Sequence, residues 1–266
     1  MKTTKQYLLG VAVILLVFLS GCVEVSHVIV GNGRLVSEFR AMPNFEKIDV
    51  KGAFKVRVEA GNVFEVKVTA ESNLQEYVST EIYGRTLEIA VRGIDEIEAK
   101  HPIELLVITP RLDAVTLDGS GNIYVANFFD VKEADVRLYG SGNISAAFDC
   151  DDLDVRVLGS GQVEVEGTAI DADLLVEGSG EILGYDMKAR YSDATINGSG
   201  QVFVSASRRL DVVINGSGDV YYINDPDVTY SIAGTGRLIH QVPGQAQVEG
   251  KLKGNRQRID KKIEQP

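Results

Sequence analysis

The sequence predicts an all-β chain wound as a right-handed parallel β-helix with rungs of about 18–21 residues. Three observations carry the prediction. A glycine-hydroxyl-glycine triplet begins at Gly119, Gly140, Gly159, Gly178, Gly198, Gly216 and Gly234, at intervals of 21, 19, 19, 20, 18 and 18 residues. Two residues before these glycines stand Leu117, Leu138, Val157, Val176, Ile196, Ile214 and Ile232, and four residues after them Ile123, Ile144, Val163, Ile182, Val202, Val220 and Leu238. Every entry in both columns is aliphatic, while the position three before each glycine is mixed and mostly polar. Period two on either side of a glycine corner means strand, sharp turn, strand, with one face inward. The drift of the interval separates this pattern from a left-handed hexapeptide helix, and a rung this short cannot build a four-stranded propeller blade.

Taken in order, the chain opens on an address. Lys2 and Lys5 precede an uncharged run, Tyr7 to Leu19, that is short for a membrane span and suits a signal-peptide core. It ends in Leu19-Ser20-Gly21-Cys22, which resembles the lipobox of bacterial lipoproteins and implies lipidation of Cys22 after removal of residues 1–21. Acyl chains worth ~0.8 kcal/mol per buried CH₂ would then hold the protein on a membrane. Residues 22–37 read as a lipidated tether, with a turn at Gly31-Asn32-Gly33. Alternating segments follow: Ile48 to Val58 around Gly52, Val63 to Thr69, and Thr86 to Val91. Ser72 to Val78 suits one helical turn capped by Ser72 or Asn73. Ile103 to Thr109, apolar at nearly every residue, reads as a strand covered on both faces. Ile48 to Val56 has the spacing of a rung with Phe54 in place of the second glycine, and is expected to cap the repeat. Residues 38–244 therefore form one domain, and residues 245–266 a polar, basic, frayed tail.

These residues together, the lipobox, Phe45-Glu46-Lys47-Ile48-Asp49-Val50-Lys51-Gly52, Leu87-Glu88-Ile89 and the serial Gly-Ser-Gly-Asn/Gln/Asp corners, resemble the head GIN domain family of bacterial envelope proteins. The resemblance runs from about Glu38 to Gly244 and implies a β-helical auto-transporter adhesin head. Auto-transporters carry a membrane β-barrel after the head. No such strands are expected here, so lipid takes the barrel's place as anchor, and Val23 after the lipidated cysteine favours an outer membrane.

Composition excludes some partners and leaves others open. A net charge of −11 argues against nucleic acid. With Cys22 lipidated, Cys150 has no disulfide partner, and its acidic neighbours Asp149, Asp151 and Asp152 should leave it inert. The residues after the triplets, Asn122, Asn143, Gln162, Glu181, Gln201, Asp219 and Arg237, read as a stacked polar ladder rather than a calcium site, since carboxylates are too few. The triplet serines lack a histidine at nucleophile spacing and the lysine of a phosphate loop. A sharper column lies five before the glycine: Asp135, Asp154, Asp173, Asp193 and Asp211. Carboxylates stacked ~4.8 Å apart repel, so either backbone N–H groups of Asx-turns, with Arg137 and Arg156 supplying charge nearby, or a row of divalent cations such as Ca²⁺ must offset the charge. The expected function is a non-enzymatic envelope lipoprotein, membrane-bound through its lipid and presenting the β-helix to a surface protein or glycan. No cofactor and no catalytic residues are expected. The alternative is a polysaccharide-processing enzyme on the same scaffold, though the chain has no tryptophan. Self-association through an uncapped helix end is a third reading.

Overall fold

A computed structural model describes residues 28–94, 96–241 and 257–258. The expected signal peptide at 1–21, the lipidation at Cys22 and most of the basic tail lie outside these residues. Strands β1 (Val28–Val30) and β2 (Leu35–Ala41) come first, then β3 (Lys47–Lys51) and β4 (Lys55–Ala60). After β5 (Glu65–Glu71) and a short 3₁₀ turn come β6 (Val78–Tyr83), β7 (Thr86–Val91), β8 (Glu96–Glu98) and β9 (Glu104–Thr109). The regular rungs use β10 (Ala114–Gly119), β11 (Asn122–Val125), β12 (Phe129–Asp130), β13 (Glu133–Gly140), β14 (Asn143–Asp149) and β15 (Asp152–Gly159). The long strands β16 (Gln162–Gly178), β17 (Glu181–Gly198) and β18 (Gln201–Gly216) each bend from one rung into the next. Then come β19 (Asp219–Ile223), β20 (Asp227–Gly234), β21 (Arg237–His240) and β22 (Gln257–Arg258).

The result is a parallel β-solenoid of about seven turns, as the repeat requires. The triplets stack in register: Gly119 over Gly140, Gly140 over Gly159, and onward to Gly234. The first glycine of each triplet has φ between +117° and +142°, a region closed to residues with a Cβ. Both glycines also touch the rung below. A Cβ on Gly159 would lie 2.2 Å from the Gly140 carbonyl oxygen, and one on Gly142 2.4 Å from that of Gly121. The corner N–H groups donate across the same gap, Ser141 and Gly142 both to Gly119 O at 3.1 Å.

Both aliphatic columns point inward and are buried in one continuous core. Ile48 to Val56 is a rung as expected. Ile48 and Val50 pair with Val115 and Leu117, Val56 pairs with Ile123, and Phe54 fills the corner from inside, 2% exposed. A further, less regular rung is built from β7 and β9, which pair parallel with β3 and β4. Antiparallel strands then close this end: β6 on β7, β5 on β9, and β2 on β5. They end the parallel stack without leaving its last rung as an open template for another chain.

The structure corrects several sequence expectations. Residues 28–37 are not a loose tether, because β1 pairs with β8 and Leu35 begins a strand on β5. Glu71 explains the attachment. Its buried carboxylate accepts N–H groups from Gly33, Lys100 and His101 at 3.0, 2.8 and 2.9 Å, and these hold it below the usual carboxyl range. The helical turn shrinks to Gln75–Tyr77 with Leu74 at its N-cap and no side-chain cap. Asn73 instead accepts the Asn32 N–H at 3.0 Å. On β9 only one face is buried; Leu106 on the other is partly open, flanked by Lys67 and Arg57. At the far end Gln257 and Arg258 pair antiparallel with Tyr230 and Thr229, so this part of the tail is strand rather than frayed chain.

Candidate functional site

Two outward faces meet at the triplet corner. The first lies on the strands that enter the triplets, and carries the aspartates. The ladder places Asp135, Asp154, Asp173, Asp193 and Asp211 side by side on five consecutive rungs. They sit within strands, not at corners, so the Asx-turn expectation fails for them. Arginines two residues along the same strand do the neutralising. Arg137 grips Asp135 with two bonds of 2.8 and 2.5 Å, and Arg156 grips Asp154 at 2.8 and 2.6 Å. Arg209 reaches Asp211 at 3.0 Å and Asp193 at 3.6 Å. The rung of Asp173 carries Leu175 at the position of Arg156 on one neighbouring rung, the other neighbour carries Thr195, and no side chain among the described residues pairs with Asp173. Burial, then the charges of Asp193, Asp154 and Asp171, push its carboxyl above the usual range. Burial is the largest cause for Asp135 and Asp193 as well, opposed by Arg137 and Arg209. A groove of about 660 Å³ follows this face and is lined in part by Asp113, Asp135, Asp154 and Asp173. Among the described residues no three His, Cys, Asp or Glu side chains converge as a metal-ligand set.

The corner itself offers little chemistry. Most of its N–H groups donate to the rung below, Ser160 and Gly161 both to Gly140 O and Ser217 and Gly218 both to Gly198 O, which leaves a phosphate cradle few donors. The polar ladder after the triplets is bonded at three of its six steps: Asn143 Nδ2 donates to Asn122 Oδ1 at 3.2 Å, Gln162 Nε2 to Glu181 Oε2 at 2.9 Å, and Arg237 Nη2 to Asp219 Oδ2 at 2.6 Å. Cys150 is buried, and burial with Asp149, Asp152 and Asp151 pushes its thiol up to about 11.

The second face lies on the strands that leave the triplets. It carries a row that the repeat did not predict, because part of it belongs to the irregular end. Register links Phe39, Lys67, Leu106, Arg57, Tyr124, Ser145, Glu164, Leu183, Phe203 and Tyr221 across ten adjacent strands. Phe203 and Tyr221 stack with centroids 4.8 Å apart and planes 7° from parallel, and Tyr185 meets Phe203 edge-on at 5.4 Å. At the other end the Arg57 guanidinium lies 5.1 Å from the Tyr124 ring centre, and the Lys67 ammonium 5.6 Å from that of Phe39. A groove of about 550 Å³ crosses this end, with Leu106 in it and Lys55, Arg57, Lys67 and Glu104 around it.

Residues 44–226 match the family model described as "Putative auto-transporter adhesin, head GIN domain". The chain belongs to the head GIN domain family. A solved structure from Bacteroides fragilis described as a putative adhesin shares 21% identity and a TM-score of 0.74, covering 80% of this chain and 100% of its own. A second, from Parabacteroides distasonis and described as a putative lipid binding protein, shares 26% identity at TM-score 0.68, covering 81% and 99%. A putative adhesin from Parabacteroides merdae gives 20% identity and TM-score 0.67, covering 82% and 100%. Among curated proteins none matches the chain. The head GIN family places the chain among adhesion-type, cell-surface proteins. Among the described residues no helix is long and apolar enough to cross a membrane.

Proposed function

We propose that this head GIN protein is a lipid-anchored, non-enzymatic envelope protein that uses its solenoid as an extended adhesive surface. Cys22 carries the anchor and the outer membrane is its site, while the ligand is a surface protein or glycan. The supporting observation is the outward row from Phe39 to Tyr221, a side-chain file ten strands long with no break in register. Strand spacing of ~4.8 Å makes that file roughly 40 Å long, which suits a polymer more than a small substrate. Cation columns on the aspartates are not needed for this reading, since arginines already offset most of that charge.

Cells carrying or lacking the chain should differ in retention on glycan- and protein-coated surfaces; equal retention on every coating would remove the adhesive role. Incubation with a polysaccharide panel should give no cleavage products, and their appearance would install the enzymatic alternative. Labelled palmitate should enter the wild-type chain but not the Cys22→Ala variant.

A second reading draws on the Parabacteroides distasonis relative described as lipid binding. A cleft of about 720 Å³ beside β8 is lined by Val91, Ile97, Ala99 and Ile103, with Lys55 and Lys100 also on its wall. Apolar walls beside ammonium groups suit an anionic amphiphile. Saturable uptake of a fluorescent fatty acid would support this reading, and its absence would dismiss it.

A further inference from the structure

Tyr124 is 48% exposed, and the Arg57 guanidinium on the preceding strand covers one face of its ring. The opposite neighbour in the row is Ser145, too small to cover the other face. Beyond Ser145 the row continues with Glu164. A notch one residue wide therefore opens between an aromatic face and a carboxylate. The same row shows what fills such a position. Where adjacent strands both carry rings, Phe203 and Tyr221 stack at 4.8 Å, which is the strand spacing itself. A ligand ring seated over Ser145 would meet Tyr124 at that distance.

The polar groups around the notch suit a ring edged with hydroxyls. Ser145 Oγ and the Glu164 carboxylate make no hydrogen bond to the protein among the described residues, and Asn143 keeps its carbonyl oxygen beside them. On the other side of Tyr124, the groove holds three cations, Lys55, Arg57 and Lys67, against Glu59 and Glu104. Arg57 is paired with Glu59 at 2.5 Å. Lys55 and Lys67 lie within ion-pair distance of no carboxylate among the described residues. In a chain of net charge −11, this is a local cationic excess beside an apolar floor at Leu106. The aspartate column lies on the other strand set of each rung.

From this arrangement we infer that the face binds a carboxylated glycan chain, one pyranose stacked on Tyr124 over Ser145 and neighbouring carboxylates held by Lys55 and Lys67. The inference deepens the adhesive reading and rests on it. Lys67 to Ser145 spans four strand spacings, ~19 Å, so the site takes several sugar units. Direction is set as well, because Glu164 accepts hydroxyls and repels carboxylates.

The full chain in detergent micelles, titrated calorimetrically with oligogalacturonate, tests this. Tyr124→Ala should weaken binding on the order of tenfold, the size of a lost ring stack, while Tyr124→Phe keeps it. Ser145→Phe should block binding by placing the protein's own ring in the notch. Lys55→Gln with Lys67→Gln should weaken binding and flatten its salt dependence. Tyr139→Ala, on the aspartate face, should change nothing. Binding that ignores both Tyr124→Ala and Ser145→Phe overturns the site, as does no binding at millimolar oligogalacturonate. Equal affinity for a neutral oligosaccharide overturns the role of the lysines. An aromatic-containing peptide that replaces the sugar with the same variant dependence overturns the glycan in favour of a protein partner. If Tyr124→Ala cells still adhere, the site is wrong and adhesion stands; if wild-type cells do not adhere, the adhesive reading itself fails.

Discussion

Replacing Asp173 with asparagine should make the protein more stable, although it removes a residue from an unbroken column. Asp173 sits between Asp154 and Asp193 and has no arginine partner among the described residues. Two unit charges ~4.8 Å apart repel by ~0.9 kcal/mol in water and by ~3.5 kcal/mol at an effective dielectric near 20. Neither limit applies unmodified. Asp154 is gripped by Arg156, Asp193 shares Arg209, and the face is open to solvent, so the neighbours act as partial charges under screening. A net penalty of about 1 kcal/mol remains, and its removal should raise Tm by roughly 2–4 °C in a chain of this size. The pH dependence gives a second check. Burial and like charges raise the Asp173 pKa above its ordinary 3.8. The folded state therefore holds this proton more tightly than the unfolded one, and stability falls as pH rises from 3.8 past the raised value. The Asp173→Asn gain should be full at pH 7 and absent below 3.8. Calorimetric melts of both proteins at pH 7.0 and pH 3.5 read this directly. A neutral or destabilising effect at pH 7, or an equal gain at both pH values, would refute the reasoning. Millimolar calcium should leave the wild-type Tm unmoved; an increase lost in Asp173→Asn would instead place a cation on the column.

The remaining predictions concern the scaffold. Gly159→Ala should cost ~3 kcal/mol or more in denaturant unfolding, because φ of +137° and the Gly140 carbonyl both oppose a Cβ, while Ser160→Ala should stay within ~0.5 kcal/mol. Ser192 points into the core at 1% exposure with its hydroxyl unpartnered, so Ser192→Ala should stabilise by about 1 kcal/mol; destabilisation would reveal a hidden partner. Glu71 has a lowered pKa, so its stabilising effect is present above pH 4.5 and lost as pH falls through its folded value. Glu71→Gln should lower Tm at pH 7, shrink the acid-induced loss, and open the Val28–Val30 segment to protease. Cys150, with its thiol up at about 11, should resist alkylation at pH 8 in the folded protein and react once unfolded, as mapped by mass spectrometry.

The repeat determined a great deal by itself. Glycines that must adopt positive φ, flanked by aliphatics at period two, admit few structures other than stacked strand-corner-strand rungs. The inward columns, the degenerate rung at Ile48 to Val56 and the amide ladder were all legible, because each depends on chemistry repeated within a short stretch. The aspartate column was legible too, with Arg137 and Arg156 as nearby charge, but not that these arginines are the carboxylates' direct partners. Arginine at i+2 shares a strand face with the aspartate, and only the strand's extension through that position decides that it, rather than a backbone N–H, takes the carboxylate. The second face was hidden for a different reason. Phe39 and Lys67 come from antiparallel strands, Leu106 and Arg57 from an irregular pair of rungs, and no period connects them to Tyr124. Pairing between segments as much as 67 residues apart sets that register, since Tyr124 lies beside Arg57. Local spacing fixes what a rung looks like; which irregular strands complete the row is decided only when the end of the solenoid closes.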